Sequence, residues 1–225
     1  MRQIALDTET TGIGHDSGHR IIEIGCIELI DRKITGRSFH TYLNPKRAVD
    51  PGAFRVHGIA DHFLKDKPEF KTVSLEFLQF IDNAELVIHN AVFDLGFLNA
   101  ELKRIKHPGQ LEDTCSVIDT LVLARKKHPG QRNSLDALCK RYDVDNTNRQ
   151  LHGALLDAEI LAHVYLAMTG GQTDLFHEAD PMVPKTEATV STYPPLTSLS
   201  PIRYASPEEL ERHESFKKKF KITTL

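Results

Sequence analysis

The sequence predicts an α/β domain whose mixed β-sheet is covered by helices. Strand-like alternation fills the chain up to about residue 44, whereas short strands and helical spacing alternate from there to about residue 170. Strands that come first as a meander and then alternate with helices are typical of a layered domain with a mixed sheet. The 225 residues leave room for one such domain and an appendage.

Apolar and polar residues alternate in the N-terminal part and predict three strands there, at 2–7, about 20–31 and 34–43. Residues 31–33 (DRK) are polar and are expected to turn a hairpin between the last two strands. A fourth strand is predicted at 86–88, a short apolar run of the kind that is buried on both faces.

Apolar residues spaced three and four apart predict helices along the rest of the domain. The helices are expected at 71–82, from Asn90 to about Leu102, at 116–127, at 134–142 and at about 154–168. Asn90 is expected to cap the second of them, Asn133 or Ser134 to cap the fourth, and Gly170-Gly171 to end the last.

The composition changes after Gly171. Six of the 11 prolines fall there and no glycine does, so residues 177–205 are expected to form an extended linker. The start signal SPEE at 206–209 predicts a short helix at about 207–219. This predicted helix has too few apolar residues to be held in place by its own packing. It therefore either docks on a partner or frays as a tail.

The bulk composition bounds the class of protein. No run of about 18 apolar residues is present, and the N-terminus has no basic and apolar leader, so neither a membrane span nor a secretion signal is expected. The three cysteines, Cys26, Cys115 and Cys139, are expected to be buried thiols in a reducing cytoplasm.

The net charge of −3 is unusual for a protein that binds nucleic acid through its overall field. Bound cations and local basic patches would have to attract the phosphates instead. Candidate patches are residues 103–106, 125–127 and 140–141, although each taken singly is most simply a solvated helix face.

Two acids near the N-terminus point to a metal site. Asp7 and Glu9 lie in LDTETTG (6–12), directly after an apolar run. Side chains alternate faces along a strand, so these two carboxylates point the same way. Crowded carboxylate oxygens suit hard divalent ions such as Mg²⁺ or Mn²⁺.

Two more acids and a histidine complete the pattern. Asp94 lies in HNAVFDLGF (89–97), in the first turn of a predicted helix, and Asp157 lies early in the last helix, in LHGALLDAEILA (151–162). His152 would point about 140° away from Asp157 on a regular helix, so it is better placed in the loop before that helix. From there it could lean over a site to which Asp157 contributes.

Together these segments resemble the three motifs of the DnaQ-type 3′→5′ exonucleases of the DEDDh class. The spacing from His152 to Asp157 is that of the histidine version of the third motif, and Gly153 stands where the tyrosine version has its tyrosine. The resemblance covers roughly residues 1–170. It implies an RNase H-like mixed five-stranded sheet flanked by helices, followed by an extended C-terminal tail.

The resemblance also implies a division of labour among the residues. Asp7, Glu9, Asp94 and Asp157 would hold two divalent cations, Mg²⁺ or Mn²⁺, about 3.5–4 Å apart. His152 would be the general base that takes a proton from the attacking water, and 5′-mononucleotides would be released.

Four further positions resemble the residues that line the pocket for the terminal nucleotide, namely Thr10, Val56, His57 and Phe93. The plainer explanation is that Val56 and Phe93 are ordinary core residues and that His57 is an ordinary turn residue. The related proteins carry an acid where this chain has Gly52, so that contact is not carried over.

Within the family, VDPGAFRVHGIAD (49–61) and RNSLDALCKRYDV (132–144) resemble the proofreading subunits of bacterial replicative DNA polymerases. The resemblance implies a DNA 3′ end as substrate and a cytoplasmic replisome as location. It implies that 178–225 binds the catalytic subunit of the polymerase, and it leaves room for a small accessory subunit.

Residues 171–177 contain QTDLF, which resembles the pentapeptide by which bacterial proteins bind the sliding clamp. Leu175 and Phe176 would fill an apolar pocket, and Gln172 would make polar contacts at its edge. The proline-rich linker and final helix resemble a tether to the catalytic subunit, and tethering raises effective concentration without tight individual contacts.

Two alternatives remain open from the sequence. The acids do not separate DNA from RNA, so a free-standing exoribonuclease that trims oligonucleotides would carry the same motifs. A silent adaptor that only ties clamp and polymerase together is the other alternative. The complete set of five chemical positions argues against it.

Overall fold

A computed structural model describes residues 1–147, 149, 151–170 and 206–208 of the chain. The chain divides into two units, Met1–His177 and Glu178–Leu225. The predicted linker and the clamp-binding-like peptide with Gln172, Leu175 and Phe176 lie outside the described residues, as does most of the final helix. Pro207 and Glu208, at the start of that helix, are described and helical. No helix within the described ranges is long and apolar enough to span a membrane.

A mixed five-stranded sheet forms the centre of the first unit and confirms the predicted fold class. The strand order is β3-β2-β1-β4-β5, with β1 antiparallel to β2, β2 antiparallel to β3, and β1, β4 and β5 mutually parallel along the sheet. The strands are β1 Arg2–Thr10, β2 Ile21–Ile30, β3 Lys33–Tyr42, β4 Glu85–Ile88 and β5 Ser116–Asp119.

Helices cover both faces of the sheet. Within the described part of the first unit they are α1 Pro51–His57, α2 Asp61–Leu64, α3 Phe70–Ile81, α4 Ala91–Arg104, α5 Thr120–Lys127, α6 Leu135–Tyr142 and α7 Ala154–Thr169. Ser134 caps α6 by accepting a hydrogen bond from the backbone N–H of Ala137. Gly170 follows α7, as the sequence predicts.

The predicted helix at 116–127 is wrong in its first turn. Ser116–Asp119 pairs with β4 as a parallel strand, and α5 starts only at Thr120. The Asp119 carboxylate accepts hydrogen bonds from the backbone N–H groups of Leu121 and Val122, which fixes that start. A four-residue apolar strand that runs directly into a helix gives no periodicity by which to tell the two apart.

Two other boundaries differ from the prediction. β1 continues to Thr10, so Asp7 and Glu9 lie within the strand. The hairpin turn uses Asp31 and Arg32, both with positive φ (48° and 64°), and Lys33 already belongs to β3. The short helices α1 and α2 had no counterpart among the predicted elements.

The alternation along β1 divides its side chains between two layers. Ile4 and Leu6 pack in the core with α3 and α4, whereas Ala5 packs with Ala158 and Ala162 of α7 on the other face. Asp7 and Glu9 continue the series that begins with Ala5, so they point toward the layer that contains α7.

Candidate active site

Gly25 allows α7 to approach the two acids of β1. It pairs with Asp7 across the β1–β2 ladder. A Cβ at position 25 would lie only 2.3 Å from the backbone of Ala154 and Leu155, so a larger residue would push away the first turn of α7. That first turn contains Asp157, whose side chain is buried and thereby brought to the face of Asp7 and Glu9.

Asp94 reaches the site from the other layer. It lies in the first turn of α4, is 3% exposed, and accepts a hydrogen bond of 2.7 Å from Thr8 Oγ1. Asn90 is the N-cap residue of α4, as predicted, but it has φ 70° and its side chain makes no capping bond. Asp119 accepts from the backbone N–H groups of Asn90 and Ala91 instead and fixes the start of the helix.

His152 lies in the loop before α7, as expected from the angular spacing. Its backbone N–H donates to the carbonyl of Val56, and its side chain is 44% exposed. The ring Nδ1 lies 3.1 Å from Asp157 Oδ2. Ligand atoms of Glu9, His152 and Asp157 all lie within 4.8 Å of one another.

All five residues assigned to the chemistry line one cavity of about 550 Å³. Asp7 and Asp94 lie outside the tight group formed by Glu9, His152 and Asp157, but they border the same space. Four carboxyl groups from β1, α4 and α7 are thus collected at one end of the sheet.

The carboxyl groups raise one another's pKa. Burial raises the pKa of Asp7 well above its usual range, and the charges of Asp94 and Glu9 raise it further. Burial and the charge of Asp157 raise the pKa of Glu9 to about 8. Burial also raises the pKa of Asp94 to about 7, although the hydrogen bond from Thr8 works in the opposite direction. Simultaneous ionisation of these carboxyl groups is therefore unfavourable unless cations lie close to them.

Among the described residues, Arg149 is a basic partner of this cluster that the sequence did not indicate. Its Nε donates to Asp157 Oδ1 and its Nη2 to Asp157 Oδ2, at 2.5 and 2.7 Å. Burial raises the pKa of Asp157, but the hydrogen bonds from His152 and Arg149 outweigh it and hold the pKa below the ordinary value. The charge of Arg149 also lowers the pKa of Asp7 and Glu9. No local motif signals such a residue, because its partner is eight positions away.

A second cavity of about 520 Å³ adjoins the first and shares Glu9 and Phe93 with it. Thr10, Val56 and His57 also line it, so the structure brings the four predicted pocket residues together. Val56 is 44% exposed, which excludes the plainer explanation that it is a core residue.

The side chain of His57 lines the same cavity and has one unpaired ring nitrogen among the described residues. It is buried, and its Nδ1 accepts a hydrogen bond from the backbone N–H of Ile59. Its Nε2 has no hydrogen-bond partner among the described residues. Buried polar atoms are normally paired, so this nitrogen is a candidate contact for a ligand in the cavity.

The donor set fits a divalent cation. Carboxylate oxygens are the preferred ligands of hard ions, and a cation placed among these acids would offset the repulsion that raises their pKa. The three cysteines do not contribute, since Cys26, Cys115 and Cys139 are buried free thiols elsewhere in the domain.

The sequence profile of the RNase_T family, described as Exonuclease, matches residues 4–165. DNA polymerase III subunit epsilon of Salmonella typhimurium is 56% identical over 221 residues, which cover 95% of this chain and 91% of that protein.

Solved structures are similar as well. Exonuclease X in complex with 5′ overhanging duplex DNA is 31% identical, with a TM-score of 0.55, covering 74% of this chain and 89% of that one. The nuclease domain of 3′hExo, a DEDDh family member bound to rAMP, has a TM-score of 0.64 at 18% identity, covering 74% of this chain and 90% of that one. At that identity the last similarity concerns the fold alone.

Proposed function

Because the chain belongs to the RNase_T exonuclease family, we propose that it proofreads newly made DNA as the 3′→5′ exonuclease of a DNA polymerase III assembly. The chain is a 3′→5′ exonuclease, and exonucleases of this family depend on divalent cations. The observation that carries the proposal is the collection of four buried or partly buried carboxyl groups and one histidine around a single cavity.

We assign the cation-holding role to Asp7, Glu9, Asp94 and Asp157, and we propose that two ions, Mg²⁺ or Mn²⁺, are held. When bound, such ions stabilise the charge that develops on the phosphodiester oxygens and lower the pKa of water. The carboxylates determine where the positive charge of the ions lies, since β1, α4 and α7 hold them in place.

His152 is proposed as the general base. It borders the cavity while remaining 44% exposed, so it can receive a proton at the site and pass it to solvent. In the reaction, the water oxygen forms a bond to phosphorus and the bond from phosphorus to the 3′ oxygen breaks. One water proton goes to His152, a nucleoside 5′-monophosphate leaves, and the 3′ oxygen of the shortened strand takes up a proton from solvent.

The adjoining cavity is proposed to hold the terminal nucleotide. Val56 and Phe93 supply apolar contacts for the base or sugar, and Thr10 and His57 supply polar ones. Because Glu9 and Phe93 border both cavities, a nucleotide in the second cavity has its phosphate close to the acids of the first.

The partners are proposed from the name of the relative and from the tail. The similarity to a subunit of DNA polymerase III extends over 95% of the chain and therefore includes most of the residues after Gly171. We propose that 178–225 binds the catalytic (alpha) subunit, that Gln172, Leu175 and Phe176 bind the sliding clamp, and that the protein works in the bacterial cytoplasm at the nucleoid. A small accessory subunit is a further proposed partner.

Two variants test these partners. Changing Leu175 and Phe176 to Ala should weaken clamp binding and leave nuclease activity intact; unchanged clamp affinity would show that the peptide match is accidental.

Deleting 178–225 should abolish binding of the alpha subunit. Loss of the thermal transition of the remaining domain would contradict the domain boundary.

The decisive assay for the function compares single-stranded DNA, DNA with a 3′-mismatched primer, and RNA, each with and without Mg²⁺. We expect cation-dependent release of 5′-mononucleotides from both DNA substrates. A clear preference for RNA would favour the exoribonuclease alternative, and no release from any substrate would favour the adaptor.

A further inference from the structure

Arg149 is the main cation that the described residues bring to the acid cluster. It lies in the segment between α6 and α7, and its side chain is only 7% exposed. Two of its nitrogens bind the two oxygens of Asp157, at 2.5 and 2.7 Å. A bidentate pair of this kind fixes both partners in one orientation.

The remaining donors of Arg149 reach two other groups of the cavity. Nη1 donates to Asp136 Oδ1 at 2.5 Å, and Nη2 lies 2.7 Å from His152 Nδ1. A guanidinium can only donate, so its contact needs the lone pair of Nδ1, whereas a hydrogen bond from the same Nδ1 to Asp157 Oδ2 needs its proton. Arg149 therefore holds a proposed cation ligand and the proposed general base at the same time.

We propose that Arg149 is a positioning residue that acts as a latch: it holds Asp157 and His152 in place and gives them up to an incoming divalent cation. This inference rests on the proposed metal site. Nη2 covers the space between His152 Nδ1 and Asp157 Oδ2, two of the three groups whose ligand atoms cluster within 4.8 Å. A guanidinium at hydrogen-bond distance repels a second cation that approaches the same atoms.

Asp136 gives the latch a resting place outside the acid cluster. It lies in the first turn of α6, its side chain is 56% exposed, and it is not one of the four acids assigned to the chemistry. When Asp157 is taken by a cation, Arg149 can keep its contact with Asp136 at the rim of the cavity. Release of the guanidinium also removes its contact with His152 Nδ1, so cation binding changes the contacts of the proposed base as well.

The latch and a purely structural ion pair predict opposite signs. If Arg149 only held Asp157 in place, its removal would loosen a cation ligand and weaken cation binding. If it is a latch, its removal takes away a competitor, and cation binding becomes tighter.

The test is calorimetric titration of the full-length chain with Mn²⁺. Arg149→Gln should bind Mn²⁺ about tenfold more tightly than the wild type, the effect of losing roughly one charge-assisted pair. Arg149→Lys keeps the charge and should lie between the two. Weaker or unchanged binding by Arg149→Gln would overturn the latch.

Arg125→Gln is the matched control. Arg125 lines the same cavity and makes no ion pair with any residue in the described ranges. The variant removes the same unit charge, so a general effect of the field would tighten binding equally in both variants. The latch predicts that only Arg149→Gln shows the large change, and an equal change in both would overturn it.

A spectroscopic readout follows the latch directly. The ¹⁵Nε–H resonance of Arg149, assigned by its loss in Arg149→Lys, should shift when Mg²⁺ is added. A resonance that stays unchanged while calorimetry reports cation binding would contradict the latch alone. If neither the wild type nor Arg149→Gln binds Mn²⁺, the proposed metal chemistry and the latch both fall.

Discussion

Two groups of buried acids in this domain have opposite surroundings. On β2, the side chain of Glu28 is fully buried, and its oxygens accept hydrogen bonds from Arg2, Arg37 and Thr35 at 2.8–3.0 Å. Burial raises the pKa of Glu28, but these hydrogen bonds outweigh it and lower the pKa overall. Glu101 is likewise 2% exposed and forms a bidentate pair with Arg20.

Three of the four acids of the candidate active site lack such pairing. Asp7, Glu9 and Asp94 face one another, and their pKa values are raised by burial first and, for Asp7 and Glu9, by neighbouring acids next. Asp157 shares a feature with each group: it lies in the crowded cavity, but it is paired with an arginine, Arg149. Burial of an acid alone thus does not mark a functional site; crowding of acids without matching arginines does.

The largest expected effect is on catalysis. Asp7→Ala should lower the rate of nucleotide release by about 10³-fold or more, because several kcal/mol of transition-state stabilisation depend on the cations. A nuclease assay on single-stranded DNA with Mg²⁺ measures it. Activity close to that of the wild type would remove Asp7 from the site.

Glu101→Gln should have the opposite profile. It leaves Arg20 without its buried partner and should lower the free energy of unfolding by about 3 kcal/mol. The rate per folded molecule should stay unchanged, since Glu101 borders neither cavity of the site. Urea unfolding measures the free energy of unfolding, and the same nuclease assay measures the rate. A lower rate together with a normal free energy of unfolding would contradict the distinction between the two groups of acids.

His152→Ala should reduce turnover by about 10²-fold, the usual contribution of a general base, while Mn²⁺ binding persists. Calorimetry separates the two effects. Normal turnover would exclude His152 as the base, and complete loss of Mn²⁺ binding would make it a ligand instead.

The smallest expected effect concerns stability and pH. The pKa of Glu9 is raised from 4.5 to about 8 in the folded protein, so folding favours the protonated form, and stability is lost as the pH rises across that interval. Without divalent cations, Glu9→Gln should therefore be more stable than the wild type by about 2 kcal/mol near pH 8.5 and gain less near pH 5.

Glu28→Gln is the control for that pH dependence. The folded pKa of Glu28 is lowered, so its stabilisation is present above the ordinary pKa and is lost as the pH falls below it. The variant should therefore be destabilised at neutral pH and approach the wild type in acid. Urea unfolding at several pH values checks both signs, and parallel curves for the two variants would contradict the comparison.

Local signals in the sequence predicted the parts of the fold that local physics decides. The periodicity of α4 and α7, the serine cap of α6 and the glycine after α7 all act within a few residues, and the structure confirms them. The strand β5 was missed because its four residues make sense only beside β4. The pairing of a short buried strand is a property of the assembled sheet.

The candidate site shows the same division. Asp7 and Glu9 could be found because alternation along a strand puts them on one face. Arg149 could not be found, because its contacts to Asp157 and His152 depend on how the loop before α7 folds back. The role of Gly25 is equally hidden, since only the approach of α7 explains it.

The most direct test of the account is the anomalous difference map of a crystal of this protein soaked in Mn²⁺. Manganese density is expected among the carboxylates of Asp7, Glu9, Asp94 and Asp157, beside His152. Manganese found only at exposed acids, or a cavity that stays free of it at saturating concentration, would contradict the claim that this crowd of acids is a cation-dependent nuclease centre.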